Sequence, residues 1–539
     1  MTRRRNLPTF ARDLLLAGAA LFACLVHDAR PAAAQSTEAL IDTVQHAGVL
    51  YFWEQANPAN GLVKDRSTPG SLCSIAAVGF GLSALCVGVD HGWLTREEVR
   101  ARVLTTLNTF WTGPQGTAVA GTIGYKGLFY HFLDMNTATR GADDVELSTI
   151  DTALLFAGIL DAKQYFDSGD PDEVQIRALA DSIYYRADWN FARNFNQGIL
   201  MGWKPGTGFG GYGQWVGYNE AMILYLLALG SPTHPVPTTT WSKWTSNYQW
   251  QTHYGYTFLI CPPLFTHQYT HCWVDFRTKQ DNYTRTQGTT YFENSRRATR
   301  AQHEYCIENP AAWTGYSDSL WGLTASDDPF GYRAHGAPPA QSDNGTITPT
   351  AGLSSIVFTP DLSIPLLHNL WDNWRATTWG AYGFKDAFNP YWNWVDTDVL
   401  GIDQGPIVLM FENYIRDGAV WKRMSANADL QTGLTRAGFL AGTTGVDPGG
   451  VAMGVFLSPV APNPVRAAGT VRFRLARAGR VQLAVYDLRG RRVESLVDGE
   501  RSAGEQTVLL SGDGLAPGVY HLKLTTTDGV AATRFVRVR

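Results

Sequence analysis

Acidic residues recur in this chain at one kind of place, just ahead of long apolar runs. Asp143, Asp144, Glu146 and Asp151 lie at the start of the run 149–165. Gly217-Tyr218-Asn219-Glu220 leads directly into Ala221-Met222-Ile223-Leu224. Asp327, Asp328, His335, Asp343 and Asn344 crowd the stretch before 348–358, and Asp396, Asp398 and Asp403 precede 405–414. Hydrolysis of a glycosidic bond needs this inventory. One carboxyl, kept protonated, gives its proton to the leaving oxygen while a carboxylate activates water or attacks carbon. Aromatic rings hold the sugar, and no cofactor is called for. Glu220 is the candidate acid, because a carboxyl at the mouth of a buried helix loses hydration and keeps its proton to higher pH.

Each acid also has a purely structural reading. Asp and Glu in a first helical turn serve as caps, each worth about 1 kcal/mol. On spacing alone Asp151 fits a cap or a buried acceptor, and Asp403 fits a cap for the helix that follows it. Asp327-Asp328 lacks the glycine-spaced loop that calcium sites use. His267 and His271 stand four apart without the glutamate of a zinc-protease helix, so no metal is assigned.

These scattered acids need elements that bring them together. Apolar runs of helical spacing recur through residues 35–440, and twelve segments alternate in character. The odd ones are amphipathic, as at 95–104 and 172–181. The even ones, 74–89, 149–165, 218–229, 262–271, 348–358 and 405–414, are apolar or small nearly throughout. Amphipathic helices face solvent on one side, and all-apolar helices are buried all round. Six of each in alternation predict a mainly α domain of the (α/α)6 toroid type. The inner helices would then present their N-termini, and the acids ahead of them, at one rim.

The two ends of the chain read differently. Arg3, Arg4 and Arg5, an apolar run over 14–26 and Ala32-Ala33-Ala34 make residues 1–34 an export signal. Every one of the 18 Trp precedes residue 440. Residues 441–458 read as a Gly/Thr/Pro linker, and 459–539 as a small immunoglobulin-like β-sandwich. Its strands show period-two alternation at 470–475, 481–486, 506–510, 519–524 and 532–538. Cleavage after Ala34 leaves five cysteines, an odd number with no C-x-x-C pair, so neither a complete disulfide set nor a zinc site is indicated. A net charge of −4 advertises no basic face, so nucleic acid is a poor partner, and the chain is taken as a monomer.

Two resemblances sharpen this reading. Residues 461–464 (Ala-Pro-Asn-Pro), 485–490 (Val-Tyr-Asp-Leu-Arg-Gly) and 515–520 (Leu-Ala-Pro-Gly-Val-Tyr) are similar to the C-terminal sorting and FlgD-like domains of exported bacterial proteins. That implies an export or sorting machinery as partner, and a periplasmic, cell-surface or secreted destination. Residues 51–54 with Asp65-Arg66-Ser67, 146–154, 217–220, 321–329 running on to 343–346, and 401–407 with 411–414 resemble the bacterial glucoamylase-like domain, the group that includes glycoside hydrolase family 144.

The second resemblance implies an (α/α)6 barrel that hydrolyses a β-glucan, β-1,2-glucan or its oligosaccharides, with inversion. It places Glu220 as the acid. Asp151 stands where family members can carry Glu. An upstream acid of some members is Ser148 here, while Asp144 is kept, so the base stays open between Asp151 and Asp403. The implied substrate-binding set is Trp53, Arg66, Asp144, Tyr218, Asn219, Trp321, Asp327, Asp328, His335 and Asn344. Loops that would close one end of a cleft, and so decide exo or endo action, are sought at 111–144 and 241–254. Competing readings are a non-catalytic surface glycan-binding protein on the same scaffold and a transglycosylase or hydrolase for another glucan. A polysaccharide lyase is disfavoured, because the acids would repel a uronic acid.

Overall fold

Four helices carry too few polar residues to face water anywhere along their length: Ile75–Asp90, Thr149–Tyr165, Met222–Gly230 and Gly401–Ile415. In the computed structural model all four are buried on nearly every side. The structure describes residues 35–441 continuously and 455–538 with short gaps. The export signal read at 1–34 lies outside the described residues, as do most of the linker and residues 461–462 and 488–490 of the tail motifs.

Glycine lets the buried helices dock backbone to backbone. A Cβ on Gly79 would collide with the carbonyl of Leu154, and one on Gly158 with the carbonyl of Gly79. Ile75–Asp90 is thereby seated against Thr149–Tyr165. On another side it meets Gly401–Ile415, where a Cβ on Gly405 would enter the Phe80 ring. Around these lie helices with one wet face: Thr37–Glu54, Arg96–Thr112, Pro171–Tyr185 and Ala428–Arg436. Arg96–Thr112 starts with a full capping box, Thr95 and Glu98 bonding reciprocally. Asp170 and Pro171 begin Pro171–Tyr185, a side-chain cap followed by proline in the first turn. Where apolar packing surrounds a charge, the charge is paired: Asp161, wholly buried, receives Arg423 Nε and Nη2 at 2.5 and 2.8 Å.

Two of the segments expected as inner helices are not regular α-helices. The 262–271 segment forms two 3-10 turns, Leu264–His267 and Tyr269–Cys272. Pro262 and Pro263 cannot donate backbone hydrogen bonds, so the first turn has no α-helical start. The 348–358 segment is α-helical only over Pro349–Leu353. There Ser355 turns its hydroxyl back onto the Ala351 carbonyl at 2.9 Å, a side-chain bond that competes with the helical ladder. The third helix expected to be buried begins at Met222 rather than Tyr218, which leaves Glu220 in the turn ahead of it.

Short strands decorate the starts of the buried helices. Gly124–Tyr125, Leu128–Tyr130, Leu147–Ser148 and Gly202–Trp203 form one antiparallel sheet that delivers the chain into Thr149–Tyr165. Two hairpins matter below: Ala325–Ser326 with Arg333–Ala334, and Phe388–Asn389 with Trp394–Val395.

The chain divides into two compact units, one comprising residues up to 274 with 292–437, the other 275–291 with 438–539. In the second, Lys279–Gln280 pairs antiparallel with Leu440–Ala441. Its tail has two antiparallel sheets, one of three strands and one of four. Val471, Phe473 and Leu510 from the first and Val481, Leu483, Leu522, Leu524 and Phe535 from the second share one apolar core. Among the described residues no helix is long and apolar enough to cross a membrane, and the five cysteines described are free thiols.

Candidate active site

Asp151 is set by its own helix start. Ser148 caps Thr149–Tyr165: the Asp151 N–H donates to Ser148 Oγ at 3.2 Å, and the Ser148 hydroxyl donates to Asp151 Oδ2 at 2.5 Å. The neighbouring strand brings His131 across. Its Nδ1 lies 2.9 Å from Glu146 Oε1 and its Nε2 3.5 Å from Asp151 Oδ1, while its ring stacks on Phe132. Burial works against a charge on His131, but Asp151 and Glu146 outweigh it and hold the imidazolium to about 9. Asp151 therefore faces a fixed cation.

Glu220 is positioned by its predecessors. Gly217, at φ 88°, supplies a left-handed turn and donates its N–H to Trp244 O at 2.8 Å. Tyr218 lies buried against Trp244 and His267. Asn219 Oδ1 accepts from the Ala221 N–H and from Trp244 Nε1, both at 3.1 Å. With these neighbours pinned, Glu220 is walled in by protein yet keeps part of its surface open, as a group on a cleft floor does. Burial, and then the charge of Asp151, pushes its carboxyl up to about 7.

A second group of acids gathers around Arg66. Its Nη1 donates to Asp327 Oδ2 at 2.7 Å and lies 3.8 Å from Asp398 Oδ2, and its Nε lies 3.3 Å from Asp65 Oδ2. Asp398 also accepts from the hydroxyls of Ser67 and Thr68. Asp327 donates its backbone N–H to Asp386 Oδ2 at 2.7 Å. Asp386 and Asp403 are neighbouring buried carboxyls, and Asp386 Oδ1 and Asp403 Oδ2 each lack a donor, a need that a proton shared by the pair would meet. Burial, and the proximity of other carboxyls, keeps both above the ordinary range. Asp396 is raised too, by burial and by Asp327 and Asp398. The two groups face one space: Asp65 feels both His131 and Asp151, and the Tyr269 phenol feels both Asp403 and Glu220.

Oxygens of Asp327, Asp386 and Asp396 lie within 4.8 Å of one another, a spacing a cation could bridge. Arg66 on Asp327 already neutralises part of that charge, and a proton on the Asp386–Asp403 pair would neutralise more.

The structure brings Glu220, Asp151, Asp403, Arg66 and Asp327 together, with Tyr218 and Asn219 supporting Glu220 from behind. Other residues expected to touch substrate are found in varied settings. Trp321 is fully buried, edge-on to His303, so it has no face for a sugar. Trp53 lies under the Arg102 guanidinium at 4.4 Å. Asp144 sits in an exposed turn. Asp328 and His335 are buried, and Asp328 accepts from Asn344 Nδ2 at 2.8 Å and from the Phe330 N–H at 2.6 Å. That knot fixes the 325–334 hairpin. The Trp-rich stretch 241–254 supplies packing, with Trp241 and Trp244 buried. Sequence reasoning passed over His131 and Asp386. Asp386 carries no helix-start signal. His131 could have been found as a lone histidine inside the apolar and aromatic stretch 128–133.

Residues 212–428 match a family described as putative glucoamylase, and residues 459–538 match the secretion system C-terminal sorting domain. Among solved structures, a putative glucoamylase from Bacteroides uniformis is 34% identical with a TM-score of 0.70, covering 76% of this chain and 98% of that one. An endo-β-1,2-glucanase from Chitinophaga pinensis, in complex with sophorotriose and glucose, is 29% identical with a TM-score of 0.69, covering 76% and 99%. An exo β-1,2-glucooligosaccharide sophorohydrolase (non-reducing end) from Parabacteroides distasonis is 32% identical over 432 residues, 74% of this chain. The chain spans 58% of the length of that curated relative.

Proposed function

The chain belongs to the glucoamylase-fold family related to glycoside hydrolase family 144 and ends in a secretion-system sorting domain, and from that premise we propose that it is an exported hydrolase of β-1,2-glucan or its oligosaccharides. The observation that carries the reading is Glu220: a carboxyl largely enclosed by protein yet partly open to solvent, held protonated to about 7, with Asp151 close enough to raise it further. On this reading the helical unit is an (α/α)6 toroid over about 35–440, followed by a linker over 441–458. The tail, 459–539, is an immunoglobulin-like sandwich that hands the enzyme to its export machinery.

Glu220 gives its proton to the leaving glycosidic oxygen. Of the two candidate bases, Asp403 fits better. A base works best when its basicity lies near the working pH, and the Asp386–Asp403 pair is raised by burial. Asp151 is already paired, with His131 at 3.5 Å and the Ser148 hydroxyl at 2.5 Å, and its charge helps keep Glu220 protonated. The pair, carrying one proton, accepts a second from the attacking water, and inversion follows from attack opposite the leaving group. Arg66, held by Asp327 and Asp65, offers its remaining N–H groups to sugar hydroxyls.

The test is a product profile of the full chain and of Glu220→Gln against β-1,2-, β-1,3-, β-1,4- and α-1,4-glucans, with the anomer of the first-formed product read by NMR. Release from β-1,2-glucan alone, in the α configuration, and its loss in Glu220→Gln support the reading. Activity on starch alone, or retained β configuration, overturns it.

A further inference from the structure

Large aromatic side chains are normally covered, yet three stand exposed side by side: Phe330 at 59%, Tyr391 at 53% and Trp392 at 50%. A contiguous apolar patch of this kind marks a binding surface. Phe330 is at the tip of the 325–334 hairpin, and Tyr391 and Trp392 are at the tip of the 388–395 hairpin. Phe330 meets Trp392 edge to face, with ring centroids 5.4 Å apart and planes at 87°. Trp392 meets Tyr391 at 82°, and Tyr391 meets Trp313 at 81°.

The rings are rigidly held. Buried Asn389 accepts from the Trp392 N–H at 3.1 Å and donates from Nδ2 to Asn344 O and Thr346 Oγ1, both at 3.0 Å. The same two hairpins carry the acids at their bases: Asp327 on one, Asp386, Asp396 and Asp398 beside the other, joined by the Asp327 N–H···Asp386 bond. Tyr332 spans the distance between. Its ring is 53% exposed, while its phenol is held protonated by surrounding protein and by Asp386, Asp403, Asp65 and Asp327. The platform and the acid group thus share the same two hairpins.

We propose that Phe330, Tyr391 and Trp392 form a stacking platform for glucose units beyond the scissile bond, shaped for a chain that turns at every sugar; this rests on the hydrolase reading above. The apolar C–H faces of a pyranose fit an aromatic face, and no charge at the platform is required. In a β-1,4 chain the two linkage bonds leave each ring from opposite ends, which gives a flat ribbon suited to coplanar rings. In a β-1,2 chain they leave from adjacent carbons, so the chain bends at each unit. Neighbouring platform rings set nearly perpendicular suit the bent chain and reject the ribbon. Because the rings are anchored in the free protein, little ordering is lost on binding.

The test compares Trp392→Ala, Trp392→Phe and the fully exposed control Phe195→Ala, outside both hairpins, on β-1,2-glucan of graded length. Trp392→Ala is expected to raise KM for long chains about tenfold more than KM for the shortest oligosaccharide cleaved, with Trp392→Phe between it and wild type and the control like wild type. Equal change at all lengths, or none, overturns the platform. In parallel, Glu220→Gln with and without Trp392→Ala is run through gels containing β-1,2-glucan or a soluble β-1,4-glucan. Retardation by the β-1,2 chain that needs Trp392 supports the proposal, and retardation independent of Trp392, or equal with both glucans, overturns it. If the wild type cleaves no β-1,2-glucan, the hydrolase reading fails while the gel comparison still decides the platform.

Discussion

Replacing Glu220 by Gln tests the site through two independent quantities, rate and stability. The Glu220 carboxyl moves from an ordinary 4.5 to about 7 on folding. A group raised in the folded state stabilises fully below its unfolded value, and that contribution is lost as pH climbs through the folded value. At about 1.36 kcal/mol per unit, ionising Glu220 in place costs up to about 3 kcal/mol. The carboxyl is open to cleft water, and screening reduces the realised cost to about 1–2 kcal/mol. Glutamine keeps the shape without the charge. Urea denaturation at pH 5 and pH 9 is therefore expected to show Glu220→Gln gaining about 1–2 kcal/mol on wild type at the higher pH. Hydrolysis is expected to fall about 10²–10⁴-fold, the usual contribution of a positioned acid. In wild type, kcat/KM is expected to fall on the alkaline side near pH 7, where Glu220 loses its proton. A variant within tenfold of wild-type rate, or with no pH-dependent gain in stability, would falsify the assignment.

Other outcomes follow from the same geometry. Asp151→Asn removes a charge that raises Glu220 and leaves His131 facing one carboxylate fewer, so the alkaline limb of the rate profile is expected to move to lower pH. Asp386→Asn replaces the shared proton with a permanent donor, which stabilises ionised Asp403 and weakens it as a base. Its acid limb is expected at lower pH, with kcat reduced about tenfold or more; an unchanged profile would point to Asp151 as the base. Arg423→Ala strands the buried carboxylate of Asp161 and is expected to cost about 3–5 kcal/mol by denaturation, with a double change to apolar residues recovering much of it. Deleting residues 459–538 is expected to abolish delivery to the surface or medium, measured by fractionation, while purified enzyme still turns over.

The alternation of buried and half-wet helices was legible because burial on all sides leaves no place for charge, as in Ile75–Asp90 and Gly401–Ile415. It failed where backbone chemistry overrode apolarity, at Pro262-Pro263 and at the serines after Leu353. In the tail, strand Arg492–Arg501 went unread because only Val497 is buried along it and charges flank that residue. For the site, helix-start acids were visible, since their position in sequence is their position in space. Asp386 and His131 were not, because they reach the cleft through pairing across strands and loops that no local pattern records. Trp321 misled for a related reason: a Trp beside acidic residues in sequence packs into the core, while Trp392, in a four-residue turn, is the exposed ring.

The glycine contacts of Ile75–Asp90 have a consequence for how the reaction tolerates change. Asp151 and Asp403 sit on two different helices, both seated on this one: Thr149–Tyr165 backbone to backbone through Gly79 and Gly158, and Gly401–Ile415 through Gly405 against the Phe80 ring. Both acids are therefore referenced to a single datum, and the spacing between them passes through one backbone contact and one aromatic ring, a short path in which few errors could accumulate. Outer helices and surface loops can drift in sequence without detuning that spacing. A single methyl group at Gly79, Gly158 or Gly405 cannot be absorbed locally, and it would displace a carboxyl many residues away along the chain.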